Sequence, residues 1–277
     1  MDETALQLSM PFHKTVHKVG AKTISIKTQR QEKCRILLIL SICSNGEKLK
    51  PFIILKGAKN GLIYKNLLKL SEVKNNKCIV EYNQTAWATK DIIKKWKEKV
   101  YISYFNGKDL SKTLLVFDRA KMHDSCEIIK KINFVFVPKG LTSILQPLDV
   151  SINHPFKLAV KHEYEFLLTF FGNVKVPKVK REKIIEWVVK CWEDKDKIKT
   201  ETIKNSFLYC GISNKSDGTE DEMFIGWNKL GEQGLVEYDF SKEDEEEENN
   251  NIIINSSSES EEGSSDKEID NEEIKDN

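Results

Sequence analysis

Ten residues, CRILLILSIC at positions 34–43, carry one charge and one hydroxyl among otherwise apolar side chains. Successive side chains of a strand point to opposite faces, so a run that is apolar at both parities must be covered on both. The run is far too short to cross a bilayer, which takes about 20 residues as a helix. It therefore predicts a central strand in a layered α/β chain. Its neighbours agree: TISIK (23–27) alternates, SNGEK supplies a tight turn, and LKPFIIL (49–55) returns, so an antiparallel meander is expected over the first 82 residues.

Thr89 can cap a helix that carries Ile92, Ile93, Trp96 and Val100 on one stripe, with Asp91 in its first turn. TLLVFD (113–118) and NFVFVP (133–138) are apolar strands on either side of a helical DSCEIIKKI, the pattern of a parallel pair with a crossover. Helices are expected from Pro155 through Phe171, over 181–194, and over 201–210 with Gly211 as the stop. These elements give an α/β fold, a mixed sheet flanked by helices.

The formal charge of +1 conceals a division. Residues 241–277 hold 15 acidic residues against 3 lysines, a net −12, which leaves +13 on residues 1–240. The boundaries expected are a folded domain over 1–225, a linker over 226–240 and a disordered acidic tail over 241–277. In the tail Ser256 and Ser258 each precede a glutamate by three residues, a pattern open to phosphorylation or to plain solvation. The basic body suits a polyanion such as nucleic acid, since lysines that neutralise phosphates release counterions. The run KVPKVKREK (175–183) offers a weak nuclear import signal.

Six scattered cysteines fit neither a zinc ribbon nor a redox pair and read as core residues of an intracellular protein. No signal peptide, membrane span, phosphate-binding glycine loop, nucleophile elbow or HExxH helix is visible in these residues. The chemistry left is acidic: Asp2 near the start, Asp118 at a strand end, and Asp149 in LQPLDVSINHPFK just before a helix. Convergent carboxylates make a hard oxygen site suited to Mg²⁺ or Mn²⁺. Two such ions about 3.5–4 Å apart can activate water on one side of a phosphodiester and stabilise the leaving oxygen on the other. On spacing alone, an aspartate after a strand is more often a turn or cap residue.

The local contexts are more specific. MDETALQLSMP, VGAKTISIKT, EKCRILLILSICSNGEKLKPFIILKG, LLVFDRAKMH, FVFVPKGLTSILQPLDVSINHPFK and IKNSFLYCGISNKSDGTED follow one another over residues 1–225. In that order they resemble the catalytic region of pogo-like transposases, the Tigger and jerky relatives. The resemblance implies a DDE endonuclease domain of ribonuclease H-like fold, in which Asp2, Asp118 and Asp149 act as catalytic acids and ligands of two Mg²⁺ or Mn²⁺ ions. DNA is the implied partner and the nucleus the implied location; a homodimer is not readable from sequence. Thirty residues lie between Asp118 and Asp149, a spacing typical of the family's last two acids. Gln146 and Pro147 are supporting residues that aim Asp149, Gln146 by bonding the adjoining backbone.

Where the family has an Arg-Gly-His type segment, this chain reads DRAKMH and keeps His123, either to orient a phosphate or carboxylate or as a helix-start residue beside Asp124. Lys33, Arg35, Lys121, Lys139, Lys157 and Lys161 are the candidate phosphate contacts. Only Met1 precedes Asp2, so the first central strand is expected to be truncated, with apolar edges exposed and Asp2 on a frayed end. The family's upstream helix-turn-helix region is likewise expected to lie outside this sequence. The rival expectation is a catalytically inactive, domesticated or decayed nucleic-acid-binding protein with the same fold; a carboxylate-pair sugar hydrolase ranks far behind.

Overall fold

Every residue from Ile36 to Leu40 is buried, and the faces they point to explain why none can be polar. In the computed structural model they form β2 (Arg35–Leu40), sandwiched between two cores. Ile36, Leu38 and Leu40 pack against one; Leu37 and Ile39 pack against the other. The structure describes residues 1–7, 35–58, 61–107, 109–119, 132–171 and 179–226. TISIK, the crossover helix, the linker and the acidic tail lie outside them. The chain divides into two units, Met1–Lys229 and Leu230–Asn277, and the first holds every described residue.

β1 (Asp2–Gln7) pairs antiparallel with β2 in unbroken register from Asp2↔Leu40 to Gln7↔Arg35. β2 pairs antiparallel with β3 (Phe52–Lys56), and β3 parallel with β4 (Ile79–Asn83). A parallel pair, β5 (Leu114–Asp118) and β6 (Asn133–Val137), forms the second ladder. The Met1 amine donates to the Val116 carbonyl at 2.8 Å and brings β5 alongside the start of β1. The expected frayed end is thereby corrected: Asp2 is paired and buried, because β2 holds it on one side and Met1 ties it to β5 on the other. β6 is also less covered than its sequence suggests, with Phe134 and Val135 exposed by 40% and 49%. Among the described strands it has a partner on one edge alone.

Two short helices, α1 (Leu62–Leu67) and α2 (Ser71–Lys74), occupy a stretch that sequence reading assigned to strands. α3 (Lys90–Trp96) starts where Thr89 predicts, with the Ile92 amide donating to Thr89 Oγ1 at 3.4 Å, and runs on as a wider π turn over Lys97–Ile102. Its Ile92, Ile93 and Trp96 cover one face of the sheet. The other face is covered by α5 (Asn153–Phe171), α6 (Arg181–Glu193) and α7 (Thr200–Tyr209), through Phe156, Val160, Ile184, Val188, Trp192 and Ile203. The remaining helix, α4 (Thr142–Leu145), precedes the candidate site. Cys78 and Cys191 are buried, which pushes their thiols up to about 12 and about 11, as expected of core residues.

The turn after β2 depends on one glycine. The Cys43 amide donates to Glu47 O (2.8 Å), the Gly46 amide donates to Cys43 O (2.9 Å), and Gly46 sits at φ +91°. A Cβ there would lie 2.4 Å from the Thr200 methyl and 3.1 Å from the Thr200 carbonyl, backbone of α7. Gly46→Ala is therefore expected to cost about 2 kcal/mol or more, from left-handed strain and overpacking together. Urea unfolding midpoints of the two chains check this; equal midpoints would mean that α7 shifts freely.

Candidate active site

Three separate elements deliver the acidic residues. Asp2 opens β1, Asp118 closes β5, and Asp149 lies in a π turn (Leu148–Ile152) that runs directly into α5. Pro147 starts that turn in the helical region (φ −55°). Such wide turns hold one extra residue per turn and re-aim side chains, here putting an exposed Asp149 over the end of β1.

Asp2 is 7% exposed, and both its oxygens are held by carboxamides. Gln146 Nε2 donates to Oδ1 at 2.7 Å, and Asn153 Nδ2 donates to Oδ2 at 2.5 Å. The same Asn153 nitrogen donates to Asp149 Oδ1 at 2.8 Å, so one amide group joins the two carboxylates. Gln146 thus reaches across the fold to Asp2 rather than to the adjoining backbone expected of it. The carbonyl oxygens Gln146 Oε1 and Asn153 Oδ1 are buried with no hydrogen-bond partner. Burial, then the Asp149 charge, raise the Asp2 carboxyl to about 7, against the opposing pull of the Asn153 hydrogen bond.

Asp118 stands two residues beyond Val116, on the strand beside Asp2, and its charge is felt at the Met1 ammonium. Asp2 and Asp149 are thus brought together, with Asp118 on the flank. Among the described residues no group of three or more His, Cys, Asp or Glu is placed to hold a metal ion. The donor set is nevertheless of one kind: carboxylate oxygens and two orphaned amide oxygens, all hard ligands.

Of the candidate phosphate contacts, Lys33 and Lys121 lie outside the described residues, as does His123. Arg35 stacks on the Trp87 ring, 3.8 Å from its centroid. Lys139 is exposed in the turn after β6, and Lys157 is half-buried on α5, one turn beyond Asn153. Lys161 is buried, with its ammonium 3.8 Å from Glu165. Asn153 is the site residue that sequence reading missed; the signal for it was a carboxamide one helical turn after Asp149.

The chain matches a family model described as DDE superfamily endonuclease over residues 33–207. It is 29% identical over 243 residues to the Mus musculus protein "Pogo transposable element with KRAB domain", covering 83% of this chain and 37% of that protein. The Homo sapiens protein of the same name is 28% identical over 235 residues, covering 80% and 36%. The chain therefore spans about a third of the length of these relatives. No solved structure matches. No described helix is long and apolar enough to cross a membrane. The family match takes in β2–β6, the turn that carries Asp149 and most of α7, and by it the chain belongs to the DDE superfamily endonucleases.

Proposed function

We propose that this chain is a transposase-derived DDE endonuclease domain of ribonuclease H-like architecture, with Asp2, Asp118 and Asp149 as its acids and DNA as its substrate. The observation that carries the reading is the Asn153 amide, 2.5 Å from Asp2 and 2.8 Å from Asp149. Two carboxylates from residues 147 positions apart repel one another, and a fold gathers them at a cost unless a cation uses them.

The hard oxygen donors fit Mg²⁺ or Mn²⁺, with Asp2 and Asp149 as first ligands and Asp118 reaching from β5. Bound there, such ions would activate the attacking water or 3′ hydroxyl and stabilise the leaving oxygen. The protein groups do the positioning. Asn153 fixes the distance between two acids, Gln146 fixes the Asp2 plane, and the π turn presents Asp149 to solvent where a phosphate can approach. Lys139 and Lys157 are proposed phosphate contacts on the rim, and the net +13 of residues 1–240 draws the polyanion in. A nuclear location follows from this substrate.

One observation favours the inactive alternative, a nucleic-acid-binding protein that keeps the fold: both Asp2 oxygens are already occupied by amide donors. Calorimetric titration of Mn²⁺ into the folded chain and into Asp149→Asn decides between them. Saturable binding that Asp149→Asn abolishes is the expected result. A folded chain that binds no Mn²⁺ overturns the enzyme reading in favour of the alternative.

A further inference from the structure

In the loop after β4, Trp87 keeps 53% of its surface in solvent, between Ala86 and Ala88, which are 2% and 7% exposed. A single exposed apolar side chain is ordinary on a protein surface, but the backbone that carries this one is held firmly. Asn83 Nδ2 donates to Trp87 O at 2.8 Å, and Asn83 Oδ1 accepts from the Thr85 amide at 3.5 Å. The Asn83 carbonyl accepts from the amides of Ala86 at 3.4 Å and Gly57 at 3.0 Å, which pins the loop to the end of β3. Ala86 is driven to φ +56°, a left-handed conformation that a residue with a Cβ rarely adopts. Strain of this kind persists where the surrounding structure over-determines it, and here it accompanies an indole turned outward while both neighbouring alanines are buried.

The Arg35 guanidinium lies over the ring, 3.8 Å from its centroid. Among the described residues Arg35 has no carboxylate partner, so its N–H groups stay available to an anion. Lys56, exposed, stands opposite Asn83 in the β3–β4 ladder, and Lys90, also exposed, follows Trp87 by three residues. These cations outnumber Asp91, the acid of the same stretch. An aromatic ring set among cations is the pairing that holds unpaired nucleic acid, because bases stack on the ring while the cations meet the phosphates. A base within a duplex has its faces covered by its neighbours, so only an unstacked one can lie on a protein ring.

We propose that, with DNA as the substrate as read above, Trp87 and Arg35 form a stacking platform for one unpaired base of the bound strand. The open surface of the indole receives the base, while Arg35 backs the ring and offers its free N–H groups to the adjoining phosphate. Asn83 is the positioning residue, since it fixes the loop from both its side chain and its carbonyl. Arg35 pairs with Gln7, at the far end of β1 from Asp2. At about 3.4 Å per residue that is roughly 17 Å along the strand, the rise of about five stacked nucleotides. The platform therefore grips the flank of the cleavage point and takes no part in the reaction at the acids.

The test is fluorescence anisotropy titration of the full chain, with EDTA present so that no metal contributes, against labelled oligothymidylate, a mixed-sequence duplex, and an abasic oligonucleotide as long as the oligothymidylate. The abasic strand keeps every phosphate and lacks the bases. Trp87→Ala is expected to weaken oligothymidylate binding by about tenfold or more, the usual effect of removing a stacking ring, and to leave the duplex and the abasic strand bound as the parent binds them. Trp87→Phe keeps a ring and should recover most of the loss, which a merely structural role in the loop would not explain. Should Trp87→Ala fail to fold, the parent chain decides through its preference for oligothymidylate over the abasic strand. Oligothymidylate binding that is indifferent to Trp87, or no tighter than abasic binding, overturns the platform, leaves DNA as the substrate and makes a protein the occupant of the ring. If no nucleic acid binds at all, the platform falls together with DNA as the substrate.

Discussion

Asn153→Ala is expected to weaken Mn²⁺ binding by about 10–100-fold while leaving the circular dichroism spectrum unchanged, the usual effect of removing a group that orients metal ligands. The effect is expected to be large because one nitrogen serves two acids: it holds Asp2 Oδ2 at 2.5 Å and Asp149 Oδ1 at 2.8 Å. Without it Asp149, on an exposed turn, is free to swing away from a buried Asp2 that cannot follow. Asn153→Asp separates positioning from ligation. A carboxylate cannot donate, so the bridge is lost, yet it supplies a further charged oxygen ligand beside the three aspartates. If Asn153 only positions the acids, both variants lose affinity. If its orphaned carbonyl oxygen is itself a ligand, Asn153→Asp retains affinity while the alanine variant does not. Calorimetry on the three chains distinguishes these outcomes, and unchanged affinity in Asn153→Ala would remove the amide bridge from the account.

That bridge also marks the limit of what the sequence discloses. The β2 run, the Thr89 cap and the helices α5 to α7 follow from local patterns, set by which faces a strand or helix must bury and where it must stop, and they emerge where their residues predict. Contacts of long sequence separation do not emerge in this way. Asp2 reaches Gln146 and Asn153 across 144 and 151 positions, and nothing local in MDET announces a partner. The site was legible only as a resemblance, which implied the acids and a supporting Gln146 but gave Gln146 the adjoining backbone as its partner and passed over Asn153. Lys161 illustrates a second limit. Read by charge it is a surface cation, yet it lies on the stripe of Val160 and Tyr164, and its aliphatic stem is drawn into the core while its ammonium turns to Glu165. The short helices over 62–74 escaped because stretches of four to six residues contain too little of a 3.6-residue period to register.

The largest expected loss of stability away from the site comes from removing the cations that serve Glu81. This carboxylate, on β4, is 3% exposed and accepts from Lys95 Nζ at 2.9 Å and from Lys99 Nζ at 2.5 Å, while both lysines keep more than a third of their side-chain surface in water. Burial alone would push its carboxyl up; hydrogen bonds from Lys99 and Lys95, with their charges, reverse this and hold it below the ordinary value. The double variant Lys95→Ala/Lys99→Ala leaves a buried charge uncompensated and is expected to cost about 3 kcal/mol at neutral pH. Glu81→Gln leaves two lysines that water can solvate and should cost within about 1 kcal/mol. The sign with pH differs between the chains. In the parent the folded pKa lies below the unfolded one, about 4.3, so the stabilisation is present above that value and is lost as pH falls through the folded pKa. In the double variant the folded pKa is raised, so the penalty applies above it and is relieved as the carboxyl protonates on acidification. The stability difference between parent and double variant should therefore be largest near pH 7 and shrink toward pH 4. Urea unfolding at both pH values measures it, and a difference that stays constant would mean that Glu81 is not charged in the folded chain.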